Sequence, residues 1–145
     1  MKTYQHKQRA TLILVVFAVI ALVDLILGLR LSRLSWIVFP VVAICAWLFH
    51  SLTIEITDGE LRWRFGPGLI RKRVALDMIV SVERVRTNVL EGWGIHLSRF
   101  GWLYNVSGFD AVAIKMKNGQ HFALGTDDAA RLMEHLPARR MQNVG

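Results

Sequence analysis

The chain has 145 residues, 53% of them hydrophobic, and a formal net charge of +7. That length suits one small domain beside a hydrophobic segment, and a lone cysteine, Cys45, excludes an internal disulfide or a cysteine-based metal site. Residues 1–51 carry five Lys/Arg against one acid, and residues 52–145 carry 13 against 10. The second part is therefore only mildly basic, which argues against nucleic acid as a partner.

Residues 1–10 are polar and basic, with Lys2, Lys7 and Arg9, and read as a short lead-in. Two apolar runs follow, Thr11–Leu29 and Trp36–Leu52, separated by Arg30-Leu31-Ser32-Arg33. The first holds fourteen Leu, Ile, Val or Phe and one acid, Asp24. As a helix its 19 residues reach about 28 Å, close to the ~30 Å hydrocarbon core of a bilayer. The second holds nine such residues, with Pro40 in its first turns and Trp36 and Trp47 toward its ends. These features predict a transmembrane helical hairpin over residues 11–52, with spans 11–29 and 36–52. The Lys/Arg bias of the flanks predicts that both termini are cytoplasmic. Asp24 is a candidate intramembrane polar contact, because an acid in such a run is costly unless it has a purpose.

From Leu52 onward the pattern changes to alternation, the signal of strands. Leu52, Ile54 and Ile56 share one face, and Asp58-Gly59 makes a hairpin turn into Leu61, Trp63 and Phe65. Gly66-Pro67-Gly68 is a second turn. It leads to Leu69–Val74, which contains the cluster Arg71-Lys72-Arg73. Ile79–Arg86, Trp93–Leu97, Trp102–Val106 and Val112–Met116 read as further strands. Asn118-Gly119 turns the chain into Phe122 and Leu124. Thr126 is the expected N-cap of a last helix, with Asp127 and Asp128 in its first turn. Its apolar stripe is Ala129, Leu132, Met133 and Leu136, and Pro137 ends it.

The predicted fold class is thus a membrane α-helical hairpin plus a β-rich domain. That domain, residues 53–137, has seven or eight antiparallel strands in a small barrel or sandwich with a C-terminal capping helix, followed by a tail, 138–145. The stretch GWGIHLSRFGWLYNVSGFDAV, followed by a β-hairpin and GTDDAARL, resembles the bacterial pleckstrin-homology-like (PH-like) membrane proteins. The resemblance implies two N-terminal spans, a cytoplasmic PH-like domain and placement in the bacterial inner membrane. It implies no activity.

No catalytic constellation and no cofactor or metal motif emerges. Gly92-Trp93-Gly94 lacks the third glycine of a dinucleotide fingerprint, and His96 and His121 have no partner at ligand spacing. The expected function is binding rather than catalysis: a membrane-anchored scaffold module that contacts a protein partner or a second copy. Trp93, Trp102 and Tyr104 are its candidate surface. The alternatives are an anionic-lipid sensor, with Arg71, Lys72 and Arg73 as the lipid contacts, and an accessory subunit of a membrane enzyme or transporter.

Overall fold

The computed structural model describes residues 2–31, 35–91, 93–137 and 139–140. Ser32 and Arg33 of the predicted link between the helices and most of the predicted tail lie outside the described residues, as does Gly92.

Two sheets pack on one core. The first is antiparallel in the order β1-β2-β3-β4: β1 Lys2–Arg9, β2 Ser51–Thr57, β3 Glu60–Phe65 and β4 Ile70–Ala75. The second contains β5 Ile79–Arg86, β6 Gly94–Ser98, β7 Gly101–Asn105, β8 Asp110–Met116 and β9 His121–Gly125. Its order is β10-β5-β8-β9-β7-β6, where β10 is the two-residue strand Arg139–Arg140. Alternation explains which residues face inward. Leu52, Ile54, Ile56, Leu61, Trp63 and Phe65 of the first sheet are buried against Val82, Val112, Ile114, Phe122 and Leu124 of the second. Trp63 stacks on Phe122 at 5.0 Å and meets Tyr104 edge-on at 5.3 Å, geometries that suit the ring quadrupoles.

The helices are α1 Thr11–Leu31, α2 Ser35–Phe49 and α3 Ala129–Glu134. The first two form a hairpin inserted between β1 and β2, which pair antiparallel at its base. Among the described side chains of α1, the least exposed are Ile13, Phe17, Ala21 and Asp24, a helical stripe at i, i+4, i+8 and i+11. Val38, Val42, Cys45 and Phe49 form the corresponding stripe on α2. Elsewhere the hairpin exposes apolar side chains, among them Leu22, Ile26, Ile37 and Trp47.

Several expectations are corrected here. Among the described residues, no helix is long and apolar enough to cross a membrane. At ~1.5 Å per residue, the 15 residues of α2 reach about 22 Å, well short of ~30 Å, and Pro40 lies inside them. The base of α1 belongs to the domain: Ile13 is in the core and Phe17 packs against it. From Ala18 to Leu31 the helix reaches only about 21 Å and includes Asp24 and Arg30. The transmembrane hairpin with spans 11–29 and 36–52, the two-span integral-membrane partnership and the inner-membrane placement with cytoplasmic termini are therefore withdrawn.

The lead-in 1–10 is also different. Lys2–Arg9 forms edge strand β1, its register running from Tyr4 opposite Ile56 to Arg9 opposite Ser51. The strands are not all antiparallel, because β7 pairs parallel with β9 through Trp102–Phe122, Leu103–Ala123 and Tyr104–Leu124. The last helix is shorter than its stripe suggested. Asp128, not Thr126, is its N-cap, and it makes no side-chain cap bond. The Thr126 hydroxyl accepts the Asp128 N–H at 3.1 Å, one step before the helix. Leu132 and Leu136 still reach the core. The Tyr4 hydroxyl donates to Asp128 at 3.3 Å, and His6 bonds Asp127, so the first strand is tied to the last helix.

Candidate functional site

Alternation divides the cluster Arg71-Lys72-Arg73. Within a strand, neighbouring side chains leave opposite faces of the sheet. Arg71 and Arg73 therefore point to the outer face of the first sheet. Lys72, opposite Trp63 in the register, points to the inner face. Its ammonium lies 5.8 Å from the centre of the Tyr104 ring, a cation–π contact at the sandwich rim.

The outer face gains two cations from the neighbouring strand. Arg62 is directly opposite Arg73, and Arg64 is directly opposite Arg71. The register continues through β2 to β1. Arg64 is opposite Thr53, which is opposite Lys7, and Arg62 is opposite Glu55, which is opposite Gln5. Two rows of side chains thus cross four strands, Lys7–Thr53–Arg64–Arg71 and Gln5–Glu55–Arg62–Arg73. Their β2, β3 and β4 members, Thr53, Glu55, Arg62, Arg64, Arg71 and Arg73, line an open concavity of about 580 Å³, with parts of Trp63 and Lys72; Lys7 and Gln5 lie beyond its edge.

The rows differ in charge. Arg62 donates to Glu60 through Nε at 2.8 Å and Nη2 at 2.7 Å, and Glu55 lies across from it. That end is close to neutral. The other end is not: Lys7, Arg64 and Arg71 are exposed and have no carboxylate partner among the described residues. Like charges directly opposite each other on a sheet repel, at a cost of roughly 0.2–1 kcal/mol a pair. Here the Arg64–Arg71 pair has no carboxylate to relieve it among the described residues, while Arg62–Arg73 has Glu60 and Glu55 beside it.

Edge protection accounts for part of this charge and not the rest. β4 is an edge strand, and cations on an edge discourage pairing with another chain. Arg62 and Arg64, however, are on β3, which is hydrogen-bonded on both sides. Their charges protect no edge.

The remaining predicted residues do not gather at one place. Tyr104 is 4% exposed and belongs to the core. Trp93 is half-buried, donates to the Gly108 carbonyl at 3.3 Å, and lines an apolar pocket of about 370 Å³ with Ile13, Phe17, Cys45 and Phe49 under the hairpin. Only Trp102 is open, at 52% exposure, opposite Leu97 at 72%. Asp24 is half-buried on the α1 stripe that matches α2, far along the helix from the basic face. Among the described residues, no group of three or more His, Cys, Asp or Glu is placed to hold a metal ion.

Reading the sequence by runs missed Lys7, Arg62 and Arg64. The signal was present in part. The Asp58-Gly59 turn fixes the β2–β3 register, so Arg62 and Arg64 were already legible as outward. Their pairing with β4 depends on the second turn, Gly66-Pro67-Gly68, and Lys7 joins only because β1 forms.

Comparison with protein-family models, curated proteins and solved structures finds no match. The resemblance to bacterial PH-like membrane proteins therefore has no support, and the two membrane spans it required are not present among the described helices.

Proposed function

We propose that this protein is a binding module for a phosphate-bearing anion, seated on the outer face of its first sheet between Arg64 and Arg71. The observation that carries this reading is the strand register that sets Arg64 directly opposite Arg71 with no carboxylate partner for either among the described residues. Such an arrangement costs stability in the empty protein and is relieved when an anion bridges the guanidinium groups. Guanidinium forks match phosphate oxygens two at a time, giving charge-assisted hydrogen bonds about twice as strong as neutral ones. Lys7 adds a third cation along the same row, beyond the buried Thr53. Glu55 and the Arg62–Glu60 pair bias the anion toward the Lys7–Arg64–Arg71 end. The role is binding and needs no catalytic group.

The phosphate could come from a soluble metabolite or a lipid head group, and the test separates the two. The full chain would be examined by equilibrium dialysis with labelled inorganic pyrophosphate and by co-sedimentation with vesicles of phosphatidylcholine, with and without phosphatidate. Arg64→Gln/Arg71→Gln would run beside Lys115→Gln/Lys117→Gln, which removes the same charge from the end of β8 and the turn after it. Salt-sensitive pyrophosphate binding lost only in the arginine variant supports a soluble anion. Phosphatidate-dependent binding alone, with the same variant pattern, supports a lipid source. Equal loss in both variants, or no binding to either probe, refutes the proposal.

A further inference from the structure

We infer that the ligand is a single-chain anionic amphiphile, whose head group occupies the basic face and whose chain lies along the base of α1. This rests on the anion-binding reading above and specifies its ligand. The outer face does not end at Lys7. Lys7 and Arg9, alternate residues of β1, share that face and line a second open cleft, of about 570 Å³, beside the first. Its far wall is α1, with Thr11 at the near end and then the apolar Leu14, Val15 and Ala18. These lie at i, i+1 and i+4 and form one strip of the helix. His50 stands at the floor, its Nδ1–H donating to the Trp47 carbonyl at 2.7 Å.

The wall is fixed in relation to the cations. Ala10 is fully buried between β1 and α1, and its N–H donates to the His50 carbonyl at 2.9 Å. The Leu14 N–H in turn donates to the Ala10 carbonyl at 2.9 Å. Strand, helix and cleft floor are thus joined at one point.

Polarity divides the occupants. A bare phosphate uses the cations and leaves Leu14 and Val15 wet. A neutral hydrocarbon covers the wall and leaves Lys7 and Arg9 without a counter-charge; neither has a carboxylate partner among the described residues. A molecule with an anionic head and one alkyl chain satisfies both ends. The head is within the Lys7–Arg64–Arg71 row, and the chain removes apolar surface from water along α1.

The test is equilibrium dialysis of the full chain with decyl phosphate below its micelle concentration, beside inorganic phosphate and decanol. Lys7→Gln/Arg9→Gln removes the cations, and Val15→Glu places an acid on the wall; all three positions are exposed, so the core is untouched. The inference expects decyl phosphate to bind at least tenfold more tightly than either inorganic phosphate or decanol. It also expects each variant to lose at least tenfold. Equal binding of decyl phosphate and inorganic phosphate overturns the amphiphile and leaves the anion site standing. Decanol binding as tightly as decyl phosphate overturns it too. No binding of either phosphate probe removes the anion reading as well. Association of the protein with itself, abolished by Val15→Glu with no decyl phosphate bound, would assign the cleft to a second copy and overturn the inference.

Discussion

Replacing Arg71 by glutamate should make the ligand-free protein more stable while abolishing anion binding. The substitution turns the Arg64–Arg71 pair from repulsive to attractive. For two fully wet charges at a separation of ~7 Å, Coulomb's law at a dielectric of about 80 gives ~0.6 kcal/mol. Measured cross-strand charge pairs span roughly 0.2–1 kcal/mol. Reversing the sign of one partner should therefore raise unfolding free energy by about 1 kcal/mol, or a midpoint shift of about 3 °C for a chain of this size. Chemical denaturation followed by tryptophan fluorescence would measure it, since Trp63 is in the core. The gain should be largest at low salt and vanish near 1 M, where the screening length falls to about 3 Å. Phosphate affinity should fall at least tenfold in the same variant. A variant no more stable than the parent at low salt would refute the reasoning. So would a gain that persists unchanged at high salt, because the charges would then not be its cause.

Three further outcomes follow from the packing. Gly66 has φ +45°, and a Cβ there would stand 2.5 Å from the Leu48 carbonyl oxygen at the end of α2. Gly59 has φ +77° with nothing within 4 Å. Gly59→Ala should therefore cost only the left-handed backbone term, about 1–2 kcal/mol, and Gly66→Ala should cost measurably more by denaturant midpoint; equal costs would mean the hairpin does not pack there. Trp63→Ala should lose roughly 3–5 kcal/mol, the usual cost of an aromatic removed from a core, and a loss below 1 kcal/mol would contradict its stacking on Phe122. Burial, reinforced by Asp128, raises the Tyr4 hydroxyl above its ordinary range. A raised folded-state pKa means its contribution is complete below about pH 10 and is lost as pH rises through the folded value, at up to ~1.4 kcal/mol per pH unit. Stability measured from pH 9 to 11.5 should fall less steeply in Tyr4→Phe, and parallel curves would exclude Tyr4 as the source.

The β-rich part was largely legible because its strands carry their own instructions. Leu52-Ile54-Ile56 and Leu61-Trp63-Phe65 alternate, and Asp58-Gly59 adopts the positive φ that the turn needs, with Asp58 at 52° and Gly59 at 77°. Strand β1 was not legible. Tyr4 is the only large apolar residue of Lys2–Arg9, so no period shows. It forms because β2 offers an unpaired edge, and backbone groups gain partners whatever their side chains. The apolar runs 11–29 and 36–52 were read as spans because composition reports hydrophobicity without saying where a helix is anchored. Ile13, Phe17 and Phe49 pack on or within the sandwich core, which shortens what remains.

The candidate site shows the same division. The sequence by itself determined the charge of Arg71, Lys72 and Arg73, the outward direction of Arg62 and Arg64, and the turn that joins their strands. It could not say that Lys72 would part from its neighbours toward Tyr104, or that Lys7 would stand in line with Arg71 across the two intervening residues, Thr53 and Arg64. Alternation is a local property, set by one strand's backbone. Register between strands is not, because it depends on which edges meet, and that is decided by the burial of a core drawn from residues 4 to 136.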